Sequence, residues 1–474
     1  MMKLLLYKLI TCITICVVIV SSPEPAQAAP NFIIINTDDM RDDDRNFLPQ
    51  TLGLLGDQGT RFINSFVVDA VCCPSRASLL RGQYSHNHGV LSNTPGIGGY
   101  SAFFNNGLES STLATWLNDA GYSTVLIGKY MNGYPLTGSE SYIPPGWGEW
   151  YGLFEDPYNV QYRINKNGIT VHYGNTEAEY LTDVLSGLAL DYLDRHQNDA
   201  APLFMYLAPI APHSPATPAL RHRLAYPGLV APRPPSFNET DVSDKPQWVK
   251  DQPIMSSKTI SGIDKLYRKR AQSLLAVDEM VAALVGRLSA QGKLDNTFIF
   301  FTSDNGWMNG EHRLSQGKAN AYEESIRVPM LVRGPGIAAG RLLDHFMLNI
   351  DIAPTIASLA GTTTPTFVDG HSLAAVLTAV ATPPAPIGER FLVERLVAGG
   401  ATGYIMPVHK ALRTADYLYV TYPATGEREL YDLLVDPYQI NSLHASADQT
   451  LINQLDLWLS ELELCSGELA CHPR

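Results

Sequence analysis

Five apolar runs recur along the chain, and each closes on polar residues or glycine. NFIII (31–35) runs into Asn36, Asp38 and Asp39, and YSTVLI (122–127) into Gly128 and Lys129. LFMYLAPIAP (203–212) runs into His213, TFIFFT (297–302) into Asp304 and Asn305, and VPMLVRG (328–334) is a fifth of the same kind. Short, apolar on both faces, and β-branched or aromatic, they read as buried strands. Helical patterns lie between them, as in SLLAVDEMVAALVGRLSAQG (273–292). Strands alternating with helices predict an α/β fold with a mostly parallel sheet between two layers of helices. Ligands of such sheets bind beyond the carboxyl ends of the strands. Asp38, Asp39, Lys129, His213, Asp304 and Asn305 are therefore expected at one edge.

The pattern changes after about residue 390. HKALRTADYLYVTYPATGERELYDLLVDP reads as antiparallel strands, and QTLINQLDLWLSEL as a helix. The expected organisation is a large α/β domain over 29–390 and a smaller α+β subdomain over 391–474. LTAVATPPAPIG is the expected boundary, and the Pro-rich segment 211–262 an insertion loop near the active edge.

Residues 1–28 have the layout of a signal peptide: Lys3 and Lys8 flank LITCITICVVIV, and AQA at 26–28 is a small-residue cleavage site. The apolar run is well short of the roughly 20 residues that span a bilayer. An exported protein without stable membrane insertion is expected, periplasmic, secreted or lysosomal according to the host. Cleavage would remove Lys3, Lys8 and Glu24, taking the net charge from −13 to −14. That acidity argues against nucleic acid as a partner. Of the cysteines left, Cys465 and Cys471 suit a disulfide in an exported protein, while Cys72 and Cys73 are adjacent and have no evident partner.

Four oxygen-bearing residues, Asp38, Asp39, Asp304 and Asn305, suit Ca²⁺ or Mg²⁺ better than zinc. Each pair alone could merely cap a turn. Two pairs at the ends of two buried strands concentrate negative charge that a cation must offset. Arg76, Lys129, Lys318 and His213 add fixed positive charge, which fits phosphoryl or sulfuryl transfer. In CCPSRASLL, Pro74 suits a first helical turn and would place Cys72 at a helix N-terminus. A buried structural thiol and a thiolate nucleophile remain alternatives.

The pattern Cys72-x-Pro74-Ser75-Arg76, continued by Leu80 and Gly82, resembles the signature of the formylglycine-dependent sulfatases. NTDD (36–39), GKYMN (128–132), APHSP (211–215), SDNG (303–306) and ELYDLLVDP (429–437) resemble family blocks in the family's order. SYIPPGWGEW (141–150) and HRLSQGKANAYEESIRVPMLVRGPG (312–336) resemble N-acetylglucosamine-6-sulfatases and heparan 6-O-endosulfatases. The resemblance implies an alkaline-phosphatase-like fold and a Ca²⁺ held by Asp38, Asp39, Asp304, Asn305 and the modified Cys72. It implies that a formylglycine-generating enzyme oxidises Cys72 and that the aldehyde hydrate is the nucleophile. Arg76, Lys129 and Lys318 would hold sulfate or hydrate, with His213 as general acid. Many members carry a His two residues after the active-site Lys, where this chain has Met131; His86, His88 and His312 are candidates for that role.

The expected function is thus an exported Ca²⁺-dependent sulfuric ester hydrolase acting on 6-O-sulfated N-acetylglucosamine or related glycans. A broad arylsulfatase and a phosphate or phosphonate monoester hydrolase are the alternatives. A non-catalytic carbohydrate-binding protein is disfavoured because nucleophile, acids and lysines are all present. The acidity and the lack of a basic domain favour action on short chains or chain ends.

Overall fold

Phe32 and Ile34 face one layer of helices, and Ile33 and Ile35 face the other. This alternation in one strand defines the architecture of the computed structural model, which describes residues 29–154, 159–381, 383, 389–401 and 404–472. The strands of the large sheet are β1 (Asn31–Thr37), β2 (Thr60–Phe66), β3 (Ser123–Lys129), β4 (Glu149–Leu153), β5 (Tyr162–Lys166), β6 (Ile169–Tyr173), β7 (Leu203–Ala208), β8 (Thr297–Ser303), β9 (Met330–Arg333) and β10 (Arg341–Leu348). Among the described residues they form one ten-stranded sheet in the order β10-β2-β9-β8-β1-β7-β3-β4-β5-β6.

The centre of the sheet, β8-β1-β7-β3-β4, is parallel throughout. Leu79, Leu113, Leu117 and Ile356 close one face, and Leu185, Val277, Val281 and Leu284 the other. The helices that position the site are α1 (Cys72–Arg81), α2 (Leu181–Arg195), α3 (Ser257–Ala290), α4 (Ile352–Leu359) and α5 (Gln449–Leu462). Register does the rest. Thr37 pairs with Ser303, and Gly128 with Ala208, so the residues that follow these strands emerge side by side.

Two expectations change. VPMLVRG is not a strand of the same kind, because β9 runs antiparallel between β2 and β8. The helix expected over 273–292 begins at Ser257, its first turn capped by the Ser256 side chain on the Thr259 amide (3.2 Å). Its first half is polar, burying only Ile263, Tyr267, Arg270 and Ala271 before residue 272, so apolar periodicity hid it.

The smaller unit is the antiparallel sheet of β11 (Arg390–Arg395), β14 (His409–Thr414), β15 (Tyr417–Tyr422) and β16 (Glu427–Asp432), with α5 packed on it. A ribbon of β12 (Gly399–Ala401) and β13 (Tyr404–Met406) lies between β11 and β14 in the chain. Cys465 and Cys471 are disulfide-bonded, while Cys72 and Cys73 are free. The expected signal segment 1–28, and residues 382 and 384–388 of the boundary stretch, lie outside the described residues. Among the described residues no helix is long and apolar enough to cross a membrane.

Candidate active site

Helix α1 starts at Cys72 on an extended Val71, and all ten of its residues are buried. Pro74 falls in the first turn, where its missing N–H costs no helical bond. Cys72 Sγ lies 2.9 Å from Lys318 Nζ and 3.7 Å from Asp38 Oδ1. One residue on, the helix rotates Cys73 elsewhere: its sulfur accepts from the Asn132 amide at 3.0 Å and sits 3.3 Å from Asn132 Oδ1. The adjacent thiols thus have separate surroundings.

The strand ends deliver the acids. Asp38 meets Lys129 Nζ directly and Arg76 at 3.6 Å. Asp304 accepts from Arg76 Nε at 2.8 Å and from the Asp39 amide at 3.0 Å. Asp39 meets Lys318 Nζ, accepts from Asn305 Nδ2 at 2.7 Å, and faces His213 Nε2 at 3.6 Å. Its backbone adopts φ 65°, a left-handed conformation uncommon for a residue other than glycine. Gly128, at φ 112°, brings Lys129 in; a Cβ there would stand 2.2 Å from the Ala208 carbonyl oxygen. His213 is oriented by its Nδ1, which donates to the Ser214 carbonyl at 2.7 Å and leaves Nε2 for the site.

All nine residues singled out from the sequence, Asp38, Asp39, Cys72, Arg76, Lys129, His213, Asp304, Asn305 and Lys318, therefore lie in one linked cluster. Burial alone would raise Asp38 and Asp39, but Lys129, Lys318, His213 and Arg76 bring Asp38 well below the carboxylate range, and Lys318 and His213 lower Asp39. Burial and the Asp38 charge push Asp304 up. Burial pushes the Cys72 thiol up to about 11 against the pull of Lys129 and Lys318, so a free thiolate is not what this pocket favours.

Asp39 Oδ2 and Asn305 Oδ1 are buried without a hydrogen-bond partner. Bare oxygens among acids are what a hard dication requires. Ligand atoms of Asp38, Asp39, Cys72 and His213 lie within 4.8 Å of one another, close enough to hold a metal ion.

His86, His88 and His312 are engaged elsewhere. His86 bonds Glu394 (3.0 Å), His88 bonds Ser78 (3.1 Å), and His312 bonds Glu239 (2.8 Å) and stacks on Tyr322. Met131 is buried in the core. Three supporting residues were not evident from the sequence. Arg270 on α3 bonds the Asp39 carbonyl at 2.5 Å, Asp44 at 2.9 Å and the Pro212 carbonyl at 3.3 Å, tying two strand ends together. Asn349 donates to Ser75 Oγ at 3.0 Å and accepts from the Val68 amide at 3.2 Å, bracing α1. The third is Asn132, beside Cys73. Nothing in YRKRAQ separates Arg270 from its basic neighbours except helical phase within a helix whose start was itself hidden.

A mostly parallel sheet, with a buried cysteine at a helix start and clustered acids and fixed cations at its carboxyl edge, is an arrangement suited to hydrolysing charged esters. The chain belongs to the sulfatase family, whose model matches residues 30–362, and it is a sulfatase. A second model, described as N-sulphoglucosamine sulphohydrolase, C-terminal, matches residues 310–464. The N-acetylglucosamine-6-sulfatase of Capra hircus is 33% identical, over 96% of this chain and 87% of its own length. That of Homo sapiens is 34% identical, over 92% and 85%. A protein solved in complex with its substrate D-glucosamine-2-N,6-O-disulfate shares the fold, with a TM-score of 0.79 at 24% identity over 92% of this chain and 97% of its own.

Proposed function

We propose that the chain is an exported, Ca²⁺-dependent sulfuric ester hydrolase that removes sulfate from 6-O-sulfated N-acetylglucosamine or related glycans, with Cys72 converted to formylglycine as its nucleophile. The convergence of the nine residues around Cys72 carries this reading. The names of the goat and human relatives, and the sequence blocks shared with 6-sulfatases, support the substrate class.

Asp38, Asp39, Asp304, Asn305 and the modified Cys72 would hold the ion, which when bound supplies Lewis-acid polarisation of the attacking oxygen. The chain's own charges explain why a dication is needed. Asp38, Asp39 and Asp304 are offset by Arg76, Lys129 and Lys318, so the positive charge that a sulfate group meets would come from His213 and a bound dication. The attack on sulfur comes from one hydroxyl of the hydrated aldehyde, and the bond from sulfur to the ester oxygen breaks. Lys129 and Lys318 steady the sulfate oxygens. His213 gives its Nε2 proton to the departing sugar oxygen. The second hydroxyl then passes its proton to His213, left neutral by its own donation, the carbonyl re-forms, and the carbon–oxygen bond to sulfate breaks. Arg76, anchored to Asp304 and to the Lys129 carbonyl (2.9 Å), keeps the strand ends in register with α1.

The test is a mass spectrum of the tryptic peptide Phe62–Arg76 from natively exported protein, with sulfate release from N-acetylglucosamine 6-sulfate, an aryl sulfate and a phenylphosphonate in parallel. Cys72 as a hydrazide-reactive aldehyde, with preference for the sugar sulfate, is expected. An active preparation with Cys72 solely as thiol overturns the nucleophile. Preference for the aryl sulfate or the phosphonate overturns the substrate.

A further inference from the structure

Away from the Cys72 cluster, three side chains from distant parts of the chain converge where the tail meets the main body. Asp351 follows β10, immediately before α4. His371 lies in the loop after α4, and His472 follows the disulfide residue Cys471. His371 Nδ1 is 3.4 Å from His472 Nε2 and 3.3 Å from Asp351 Oδ1, and His472 Nε2 is 3.9 Å from the same oxygen. We propose that these three residues form a second metal site, for Zn²⁺ or a like borderline transition ion, which clips the C-terminal tail to the catalytic body.

Spacing and donor chemistry carry the inference. With bonds of about 2.1 Å, the corners of a tetrahedral zinc site lie about 3.4 Å apart, whereas neighbouring corners of an octahedron lie about 3.0 Å apart. Two of the three observed separations match the tetrahedral edge. The third exceeds it by an amount that a small rotation of the partly exposed His472 ring removes. Two imidazoles and one carboxylate suit zinc, in contrast to the oxygen-rich set around Asp39.

The ligands are also oriented as metal ligands are. Asp351 Oδ2 accepts from the Leu348 amide and Oδ1 from the His371 amide, both at 2.9 Å, which fixes the carboxylate and leaves Oδ1 a further lone pair. The His472 ring lies beside the backbone of Asp369. Both imidazoles are partly exposed, at 28% and 21% of the side chain, which leaves a fourth position for water.

The surroundings suit a clip. The Gly467 amide bonds Asp369 Oδ1 at 2.8 Å, and Asn87 Nδ2 bonds the Cys465 carbonyl at 2.9 Å, so the disulfide loop is already docked beside the site. The Asp369 amide bonds the Gly82 carbonyl at 2.8 Å, just past the end of α1. The clip would therefore fasten the tail to the far end of the helix that carries Cys72.

The experiment titrates full-length protein with Zn²⁺ in excess Ca²⁺, which occupies the oxygen-rich site, and measures bound metal by equilibrium dialysis and elemental analysis. One Zn²⁺ per chain is expected. His371→Ala and His472→Ala should each weaken binding by about 100-fold or more, while Cys72→Ala retains it. Co²⁺ should give the visible bands of a tetrahedral site in wild type and lose them in His472→Ala. Zn²⁺ should raise the wild-type Tm by about 2–5 °C and leave that of His472→Ala unmoved. Because His472 is partly exposed, its variant decides the matter even if His371→Ala fails to fold. No stoichiometric uptake by wild type, uptake unchanged in His472→Ala, or uptake lost in Cys72→Ala would each overturn the proposal.

Discussion

The carboxyl edge of the large sheet and the face of the small sheet both bury acids, and they treat them in opposite ways. On the small sheet, Glu429 accepts from Tyr322 at 2.9 Å, from Tyr422 at 2.6 Å and from Tyr431, so hydroxyls surround it. Glu323 sits between Arg327 and Arg413, each at 2.7 Å. At the large edge, Asp39 Oδ2, Asn305 Oδ1 and one Arg76 nitrogen are buried with no hydrogen-bond partner. Saturated acids fasten a structure, whereas acids left short of partners are held ready for something that binds.

Three substitutions test that contrast. Cys72→Ala removes the proposed nucleophile and should lower sulfate-ester turnover by roughly 10⁵-fold while thermal unfolding hardly moves. Retained turnover at the same Tm would make the edge structural. Lys129→Met removes a cation proposed to hold the sulfate oxygens and should cost about 10²–10³-fold in kcat/KM. An equal loss of stability and no specific loss of rate would place Lys129 with the saturated groups.

Glu323→Gln should do the reverse, lowering unfolding stability by about 3 kcal/mol in urea titrations because Arg413 loses its buried partner, with kcat unchanged. Its pH dependence has a definite sign. Burial alone would raise Glu323, but Arg327 and Arg413 bring it down to about 2. The pair's contribution is complete above the unfolded carboxylate's pKa of about 4.3 and fades as pH falls toward 2. Wild type and Glu323→Gln should therefore converge in stability in strong acid, and parallel curves there would refute the pairing.

The parts of this molecule legible in the sequence are those where burial is two-sided. β1, β3, β7 and β8 are apolar on both faces, so their ends could be read, and with them the residues at the edge. The meander β4-β5-β6 was not read, because strands such as ITVHY are half-exposed and carry no continuous apolar run. The direction of β9 depends on pairing, which composition does not encode. Arg270 and Asn349 act through single hydrogen bonds to backbone and hydroxyl groups, contacts that leave no periodic trace. Asp351, His371 and His472 lie far apart in sequence and share no motif spacing, so only the fold brings them together.

Cys72 is 1% exposed, in a fully buried helix, with its sulfur already against Lys318. On the reading proposed here, that burial imposes an order of events. An oxidising enzyme cannot reach the sulfur in the finished fold, so maturation belongs to the nascent or unfolded chain and competes with folding in time. A host that folds the protein before modifying it would accumulate molecules that are stable, soluble and permanently idle, and later exposure to the enzyme would not rescue them. The specific activity of a preparation would then measure the outcome of that race rather than the quality of its folding.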